Sequence, residues 1–434
     1  MFTGVLGWTV ATTPEEPWDV FWTDTSISQE RFAQLKPFQK INHFPGMQMI
    51  TRKNHLATTL NKLRALFPKE YAFFPKTWVL PNELKQFKEE VRKGRATFIV
   101  KPSASSQGRG IYLIKRADQL LSTEHCIARQ YLARPLLIDG HKFDLRLYVL
   151  VTGCEPLRVF LHEEGLVRLA TEQYKRPTKL NISQTCMHLT NYAVNKNNPN
   201  FVSNEVVQDY SGHKRSLSSF LLHLQSLGHD VAALWEALCD LVVKTLVVTQ
   251  PSLAHVYNAS QPQDLFNAHC FEILGFDIIL NQQLKPFLLE VNHSPSFTAD
   301  SPLDAEIKTR VVAEALRLMN IGHKQKARCE KMHREIARKR MLGTRTFTDS
   351  RTLISRKRKR NAELRDKLER KARVGYIKVF PDREGAYSKF LDASRRIWQG
   401  NSGRPLRSFT TASLRPVEPL DEPETRQPLY LSPG

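Results

Sequence analysis

The stretch that most constrains this chain is FEILGFDIILNQQLKPFLLEVNHSPSF, residues 271–297. It contains two apolar runs, Phe276–Leu280 and Phe287–Val291, on either side of the polar segment Asn281–Gln283. Two apolar runs separated by a short polar segment are typical of a β-hairpin. The stretch therefore predicts two neighbouring antiparallel strands that are largely buried.

Three polar residues interrupt these apolar strands: Asp277, Glu290 and Asn292. Glu290 and Asn292 are two residues apart, so they lie on one face of their strand. A turn centred on Gln282-Gln283 would pair Asp277 with Leu288 and bring it to the same face. Buried carboxylates need a neutralising cation, and carboxylate and amide oxygens suit Mg²⁺. The pattern predicts a magnesium site; the alternative is an edge hairpin whose polar residues face solvent.

The composition limits the partners and the compartment. The 434 residues carry 64 Lys and Arg against 43 Asp and Glu, a net charge of +21. Such a charge predicts an acidic partner: nucleic acid, an anionic membrane or an acidic protein. Six cysteines without a CxxC pair favour neither a zinc site nor a disulfide framework, so we expect a reducing compartment. The opening MFTGVLGWTV is not expected to be a secretory signal, and Val231–Thr249 carries charges that predict a buried amphipathic helix rather than a membrane span.

A second polar feature is a Ser/Gly-rich loop. Residues Ser103–Gly110 join two predicted strands, Phe98–Val100 and Ile111–Ile114, with Lys101 and Arg109 at the two ends of the loop. Small residues let backbone amides approach phosphates, and the two cations would add fixed positive charge. The loop lacks the GKS/T ending of a Walker motif. A plain hairpin with surface charge explains the loop equally well.

The segment His141–Val151 reads HKFDLRLYVLV and alternates charged and apolar residues. Because side chains alternate along a strand, Lys142, Asp144 and Arg146 lie on one face. Arg168 stands in the apolar strand LVRLA and could bind a carboxylate with two parallel hydrogen bonds. These residues predict a nucleotide or carboxylate site. The alternatives are a solvated sheet face for the alternating strand and an exposed edge strand for Arg168.

Other segments give coarser expectations. Leu157–His162 and Gly165–Ala170 predict a further hairpin, and Phe220–Leu246 is predicted to be helical. Residues 188–196 are polar and predicted to form a loop. The spaced aromatic residues of Tyr376–Trp398 predict one packed helix.

The composition changes after Ile321. Residues His323–Arg373 are rich in Lys and Arg and include RKRKR at Arg356–Arg360. Ala327–Met341 and Thr352–Arg370 have helical character with few apolar residues, which predicts basic helices on the surface. A run such as RKRKR can also be a nuclear signal or a nucleic-acid patch, although no nucleic-acid-binding module accompanies it. The Pro-, Ser- and Thr-rich tail beyond residue 400 is expected to be disordered.

Six motifs follow one another along the chain. They are QKINHFPGM (39–47), IVKP…QGRGIYL (99–113), LLIDGHKFDLRLYVLVT (136–152), GLVRLATE (165–172), MHLTNYAVNK (187–196) and FEILGFDIIL…KPFLLEVNHSPSF (271–297). Together they resemble the tubulin tyrosine ligase-like family over roughly residues 18–321. The resemblance implies an α+β fold with an ATP-grasp-like catalytic core and a basic helical C-terminal extension. It implies a ligase that uses ATP and Mg²⁺ to convert a carboxylate into an acyl-phosphate, which the amine of an amino acid then attacks.

The resemblance also implies roles for single residues. Lys101, Arg109, Arg168 and Glu290 would be catalytic, and the magnesium ligands would be Asp277, Glu290 and Asn292. ATP would be bound by Lys101, Arg109, Gly110, Arg129, Gln130, Tyr131, Leu132, Lys142, Phe143, Asp144, Thr190 and Asn191. The amino acid and the acceptor would be bound by Gln107, Arg109, Arg168, Tyr192, Lys214 and His293.

The motif VNHSPSF with His293 is similar to that of chain-elongating polyglutamylases. The resemblance implies a tubulin polyglutamylase, a monomer, with microtubules, their acidic tubulin tails and free L-glutamate as partners, and with neither a specific nucleic acid nor a membrane. The cytoplasm, the cytoskeleton, the cilium and the basal body are the expected locations. A non-catalytic microtubule-binding module, a tubulin glycylase and a nucleic-acid binder are the alternatives.

The same evidence predicts four regions. They are an N-terminal α/β part (1–80), which we expect to be shortened relative to the family, the catalytic core (81–321), a basic helical microtubule-binding region (322–399) and a disordered tail (400–434).

Overall fold

Strands and helices follow one another irregularly along the chain and form an α+β fold, which confirms the predicted class. The structure is a computed structural model and describes residues 8–9, 18–103, 108–122, 125–203, 212–342, 351–372, 374–382 and 385–402. The strands are β1 (Val20–Phe21), β2 (Lys40–Ile41), β3 (Thr77–Leu80), β4 (Phe98–Pro102), β5 (Tyr112–Ile114), β6 (Cys126–Gln130), β7 (Leu137–Ile138), β8 (His141–Cys154), β9 (Leu157–Gln173), β10 (Lys214–Ser216), β11 (Glu272–Leu280), β12 (Pro286–Asn292) and β13 (Tyr376–Phe380). The helices are α1 (Gln29–Ala33), α2 (Gln48–Thr51), α3 (Lys53–Leu66), α4 (Leu84–Arg92), α5 (Thr185–His188), α6 (Tyr192–Asn195), α7 (Leu217–Ser226), α8 (Val231–Val247), α9 (Gln250–Ser260), α10 (Pro302–Leu318), α11 (His323–Met341), α12 (Arg351–Lys371) and α13 (Ser388–Ser402).

The larger sheet has the strand order β10-β9-β8-β11-β12, with β13 also paired to β9 and β7 to β8. Its central strand β8 presents two different faces. Phe143, Leu145 and Leu147 lie in one core with the apolar side of helices α7 and α8. On the opposite face Tyr148 and Leu150 lie in a second core, under α10. Lys142, Asp144 and Arg146 lie on the same face nearer the start of the strand, as the alternation of side chains predicts.

The smaller sheet has the order β3-β6-β4-β5 and is antiparallel throughout. Helix α4 covers it with Phe87 and Val91, which pack in a core with Phe98 and Val100. The rings of Phe87 and Phe98 meet edge to face at 5.2 Å. One face of this sheet is thereby closed, and the other face is turned toward the larger sheet.

The predicted hairpin forms strands β11 and β12, but its register is different. Asp277 pairs with Glu290, and it is Ile278 that pairs with Leu288, because a bulge lies between Asp277 and Ile278. The turn also begins at Asn281, whose N–H donates to the Lys285 carbonyl. The predicted pairing of Asp277 with Leu288 is therefore wrong. Asp277 and Glu290 nevertheless lie on one face of the sheet, as predicted, because directly paired residues point to the same side.

Three other local predictions are corrected. Leu157–Gln173 is one continuous strand rather than a hairpin, because β8, β10 and β13 all pair along it. The segment Tyr376–Trp398 is a strand followed by a helix, and Phe220–Leu246 is divided between α7 and α8. Residues 188–196, predicted to be a loop, contain the end of α5 and the one-turn helix α6.

The basic helix α12 lies against the larger sheet and is held there by charged residues. Arg158 of β9 is 1% exposed and donates to Asp366 at 2.7 Å and to Glu369 at 2.6 Å. Arg365 donates to the carbonyls of Thr152 and Asn267, both at 2.8 Å. Ion pairs with the buried Arg158 thus fix the inner side of α12, whereas Arg356, Lys357, Lys359 and Arg360 are exposed.

Among the described residues, no helix is both long and apolar enough to cross a bilayer. The predicted tail from residue 400 lies outside the described residues, apart from the last residues of α13.

The buried ion pairs give a stability prediction. We expect Arg158→Met to lower the free energy of unfolding by about 3 kcal/mol, because breaking a buried pair leaves Glu369 without its main partner in a dry site. Thermal or urea denaturation followed by circular dichroism measures the change. Arg356→Met removes an exposed cation from the same helix and should change stability by about 0.5 kcal/mol or less. Equal stability of the two variants would contradict the docking of α12 through Arg158.

Candidate active site

A cleft separates the two sheets and contains most of the predicted site residues. It encloses about 640 Å³ including its open mouth. Its apolar wall contains Ile99, Ile111, Ile279 and Leu289. The predicted residues that line it are Lys101, Arg129, Gln130, Tyr131, Leu132, Lys142, Asp144, Thr190, Asn191, Asp277 and Glu290. Apolar side chains from both sheets beside a charged floor suit a ligand with a flat apolar part and an anionic part.

Two buried lysines stand at this cleft, Lys101 from β4 and Lys142 from β8. Burial lowers the pKa of Lys101 to about 8, although the carboxylate of Glu290 opposes the shift. Burial, together with the charge of Lys101, lowers the pKa of Lys142 to about 7. Each buried ammonium is poorly stabilised by its surroundings, and Lys101 adds repulsion at Lys142, so the cleft favours binding of negative charge.

Lys142 begins a buried chain of hydrogen bonds. Its ammonium donates to the Tyr131 hydroxyl at 3.0 Å and to the His188 carbonyl at 2.7 Å. The His188 Nε2 lies 3.0 Å from the Asn181 carbonyl, which can only accept, so Nε2 carries the proton. Nδ1 is then the acceptor for the Tyr131 hydroxyl at 3.1 Å. Burial lowers the pKa of His188 to about 4, with a smaller contribution from Lys142, so this histidine stays neutral and orients the tyrosine.

The strands of the larger sheet bring two arginines and two aspartates together on the floor of the cleft. Arg168 pairs across the strands with Asp144 and donates to both its oxygens, each at 2.7 Å. Arg168 also lies 2.9 Å from Asp277, and Arg146 donates to Asp277 at 2.5 and 3.1 Å. Thr190 adds a hydrogen bond to Asp144 at 2.7 Å. Each carboxylate is thus paired with a guanidinium group and fixed in direction, although burial raises the pKa of Asp144 against the opposing charge of Arg168.

Gly275 makes room for this network. A Cβ atom there would lie 3.2 Å from the Arg146 side chain and 3.1 Å from Pro295. The arginine can therefore lie flat across β11 on its way to Asp277 only because the side chain at 275 is absent.

The chemistry of the hairpin face fits Mg²⁺. Burial alone would raise the pKa of Asp277, but the guanidinium groups of Arg146 and Arg168 outweigh it and hold that pKa well below its usual range. Glu290 is the cross-strand partner of Asp277 and lies 3.8 Å from Lys53. Asn292 donates to the Gly275 carbonyl at 3.2 Å, so its amide must turn over to offer oxygen to a metal. Two carboxylates and an amide on one face are a donor set for Mg²⁺ held together with phosphates.

Three of the residues predicted to bind ATP lie away from the cleft, and one predicted substrate residue is not described. Phe143 points into the core on the opposite face of β8 and packs on Phe220 at 5.2 Å, so its side chain cannot reach the cleft. The strand alternation that places Lys142 and Asp144 in the cleft excludes Phe143 from it. Arg109 and Gly110 lie exposed at the turn between β4 and β5, and Gln107 is outside the described residues.

The substrate residues form two groups beside the floor. Lys214 pairs across β10 and β9 with Arg168, and its ammonium lies 4.0 Å from the centre of the Tyr192 ring. His293 lies on the other side, in a smaller cavity of about 250 Å³, with its ring 5.7 Å from that of His43. The structure therefore brings Arg168, Tyr192 and Lys214 together and places His293 apart from them.

Two residues of the site were given no individual role in the sequence analysis, although Arg146 was placed on the charged face of its strand. Arg146 belonged to the alternating pattern of β8, but only the pairing of β8 with β11 shows that it binds Asp277. His188 stands in the segment HLTN, and no periodicity in the sequence indicates its contact with Tyr131.

Comparison with known proteins gives the family of this chain. The model of the tubulin-tyrosine ligase family matches residues 31–328. The chain belongs to this family. Similar proteins are the tubulin polyglutamylase ttll6 of Danio rerio (43% identical, covering 90% of this chain and 50% of the relative), TTLL13 of Mus musculus (48%, 71% and 38%) and TTLL7 of Homo sapiens (40%, 88% and 44%), the last two also called tubulin polyglutamylases. The chain spans half or less of the length of each of these relatives.

The two lysines of the cleft predict a pH dependence. If nucleotide phosphates bind beside Lys101 and Lys142, the bound anion raises the pKa of each lysine above its value in the free protein. Below about pH 7 both lysines are already charged, whereas above it binding must take up protons. We expect the Kd for ATP to rise about tenfold or more between pH 7 and pH 9, as measured by isothermal titration calorimetry. Lys142→Met should weaken binding at pH 7 and flatten this dependence, and a Kd that is independent of pH would contradict the assignment.

Proposed function

We propose that this chain is an ATP- and Mg²⁺-dependent ligase that adds glutamate to glutamate side chains of tubulin tails, with a preference for elongating existing chains. The observation that carries the proposal is the cleft itself, where buried lysines, paired arginines and two carboxylates on one strand face meet between two sheets. Two sheets that enclose a nucleotide between them are the ATP-grasp arrangement. The names of the similar proteins support tubulin as the acceptor.

The proposed reaction has two steps. An acceptor carboxylate oxygen attacks the γ-phosphorus of ATP, the bond to the β-phosphate oxygen breaks, and ADP leaves. The amine of the incoming glutamate, after losing a proton, attacks the acyl carbon, and inorganic phosphate leaves with the bond electrons. Both steps bring anions together, so fixed cations that are already oriented lower the barrier.

The residues of the chain have distinct tasks in this proposal. Lys101 and Lys142 would hold the phosphates, and Mg²⁺ held by Asp277, Glu290 and Asn292 would neutralise them. The Nε and Nη2 atoms of Arg168 pair with Asp144 and Asp277. Its Nη1 would therefore donate to the carboxylate of the amino acid. His293, in its separate cavity, would contact the acceptor chain.

The basic helix would bring the acidic tubulin tail to the enzyme. Arg356, Lys357, Lys359 and Arg360 are exposed on α12, whereas Arg358 turns inward to Glu155 at 3.2 Å. Exposed cations on an anchored helix are suited to a glutamate-rich tail, and this binding should weaken with salt. Such a partner would place the protein in the cytoplasm on microtubules, including those of the cilium and the basal body.

Mass spectrometry tests the proposed activity. Microtubules and acceptor peptides, with and without a branch glutamate, are incubated with the chain, ATP, Mg²⁺ and one amino acid: glutamate, glycine or tyrosine. Glutamate increments, larger on the branched peptide, are expected. Glycine increments would make the protein a glycylase, and no increment from the folded chain would favour a non-catalytic microtubule-binding module.

Glu290→Gln tests the metal site. The amide cannot supply the negative charge that a metal–nucleotide complex needs, so we expect ligation to fall at least about 100-fold with microtubule binding unchanged. Ligation is measured with a radiolabelled amino acid, and binding is measured by co-sedimentation. Glu89→Gln, an exposed acid on α4, is the matched control. Normal turnover in Glu290→Gln would remove Glu290 from the metal site.

Neutralising the exposed side of α12 tests docking. Changing Arg356, Lys357, Lys359 and Arg360 together to Gln should weaken microtubule binding about tenfold or more at low salt and spare activity on short peptides. Arg358 is kept because it anchors the helix. Four exposed cations on or beside α4, Lys85, Lys88, Arg92 and Arg95, provide a control with the same change of charge. Equal loss of binding in both variants would show that net charge, rather than α12, attracts the partner.

A further inference from the structure

Asp304 lies at the centre of a buried cluster outside the cleft residues considered so far. Its side chain is 0% exposed and sits in the first turn of α10. Lys214 donates to its Oδ2 at 2.5 Å, and Lys308 lies 2.9 Å from its Oδ1. Two ammonium groups thus share one buried carboxylate, and the exposed Asp300 is the further acid that acts on Lys308.

The pairing of β10 with β9 sets the position of the Lys214 ammonium. Lys214 is the direct cross-strand partner of Arg168, so the two side chains leave the sheet on the same face. The Lys214 ammonium also lies 4.0 Å from the centre of the Tyr192 ring. A cation is therefore held beside Arg168, the proposed clamp for the α-carboxylate of the amino acid.

The position of Asp304 is fixed from its own helix. Ser301 is the N-cap of α10 and accepts from the Asp304 N–H at 3.2 Å. Lys308, one turn later, donates to the Thr298 carbonyl at 2.5 Å and so ties the segment before the helix to the same cluster. A lysine side chain has many rotamers, and holding it in one of them costs entropy unless a fixed partner does so beforehand. Asp304 is such a partner for Lys214.

We propose that Asp304 is a positioning residue that holds the Lys214 ammonium beside Arg168, so that the two cations select an amino acid with two carboxylates. Arg168 takes the α-carboxylate and Lys214 takes the side-chain carboxylate. Glycine and tyrosine lack the second anion and would make no ion pair with Lys214. The inference rests on the proposed ligase function and adds to it the basis for choosing glutamate.

Asp304→Asn in the full chain tests the proposal, because the amide keeps the shape and removes the charge. We expect the KM for glutamate to rise about tenfold, with the KM for ATP and the kcat at saturating glutamate within about twofold. The preference for glutamate over glutamine, its neutral isostere, should fall by a similar factor. In the Lys214→Gln background, Asp304→Asn should add little further loss, because both changes remove one interaction.

Glu306→Gln is the matched control, since it makes the same change at an exposed position of the same helix. An unchanged KM for glutamate in Asp304→Asn would overturn the proposal, as would a fall in kcat alone, which indicates a loss of folded enzyme. If Asp304→Asn does not fold, Ser301→Ala replaces it, because Ser301 caps the helix at Asp304. We then expect the KM for glutamate to rise about threefold, and an unchanged KM would refute the proposal. The wild type is assayed first. A wild-type chain that ligates no glutamate would refute the proposed function, whereas an active wild type with an unaffected Asp304→Asn variant would refute only the role of Asp304.

Discussion

Two guanidinium groups that hold two aspartates on the floor of a cleft are the interaction on which the rest of the site depends. Arg168 with Asp144 and Arg146 with Asp277 are cross-strand pairs, so the network forms only if β9, β8 and β11 are in register. Taking four charges out of water is costly, and well-packed apolar residues would often serve stability equally well. The network therefore indicates a binding function, because it keeps oriented charges ready where a ligand can use them.

The pairing of every floor carboxylate has a consequence for the order of binding. Asp144 faces Arg168, Asp277 faces both arginines, and Glu290 lies 3.8 Å from Lys53. A metal ion alone would meet carboxylates that are already neutralised. A metal–nucleotide complex brings its own negative charge, which the arginines and lysines can bind while the carboxylates turn to the metal. In the proposed ligase, these electrostatics would favour Mg²⁺ binding together with ATP rather than before it.

The sequence predicts most of this site because its elements carry local signals. Alternation in β8 places Lys142 and Asp144 on one face, and the same rule excludes Phe143, which only the resemblance to the family had suggested. What could not be predicted depends on tertiary pairing. The bulge after Asp277 shifts the register of the hairpin. The polar residues Glu163 and Glu164 suggested a turn between two strands, but β8, β10 and β13 pair along one continuous strand there. The partner of Arg146 and the contact of His188 likewise exist only after the chain has folded.

The anchoring of α12 would let one helix be part of the core and also serve as the docking surface proposed above. Its inward charges, such as Arg365, bond to carbonyls and carboxylates of the core, whereas Arg356 and Arg360 face solvent. A free basic tail would attract acidic chains without directing them. A basic surface fixed to the larger sheet instead holds a bound acidic chain at a constant distance from the cleft, which raises the effective concentration of its glutamates there. An acidic tubulin tail carries many glutamates. Under the proposed function, such tethering would therefore favour the addition of several glutamates before the tail is released.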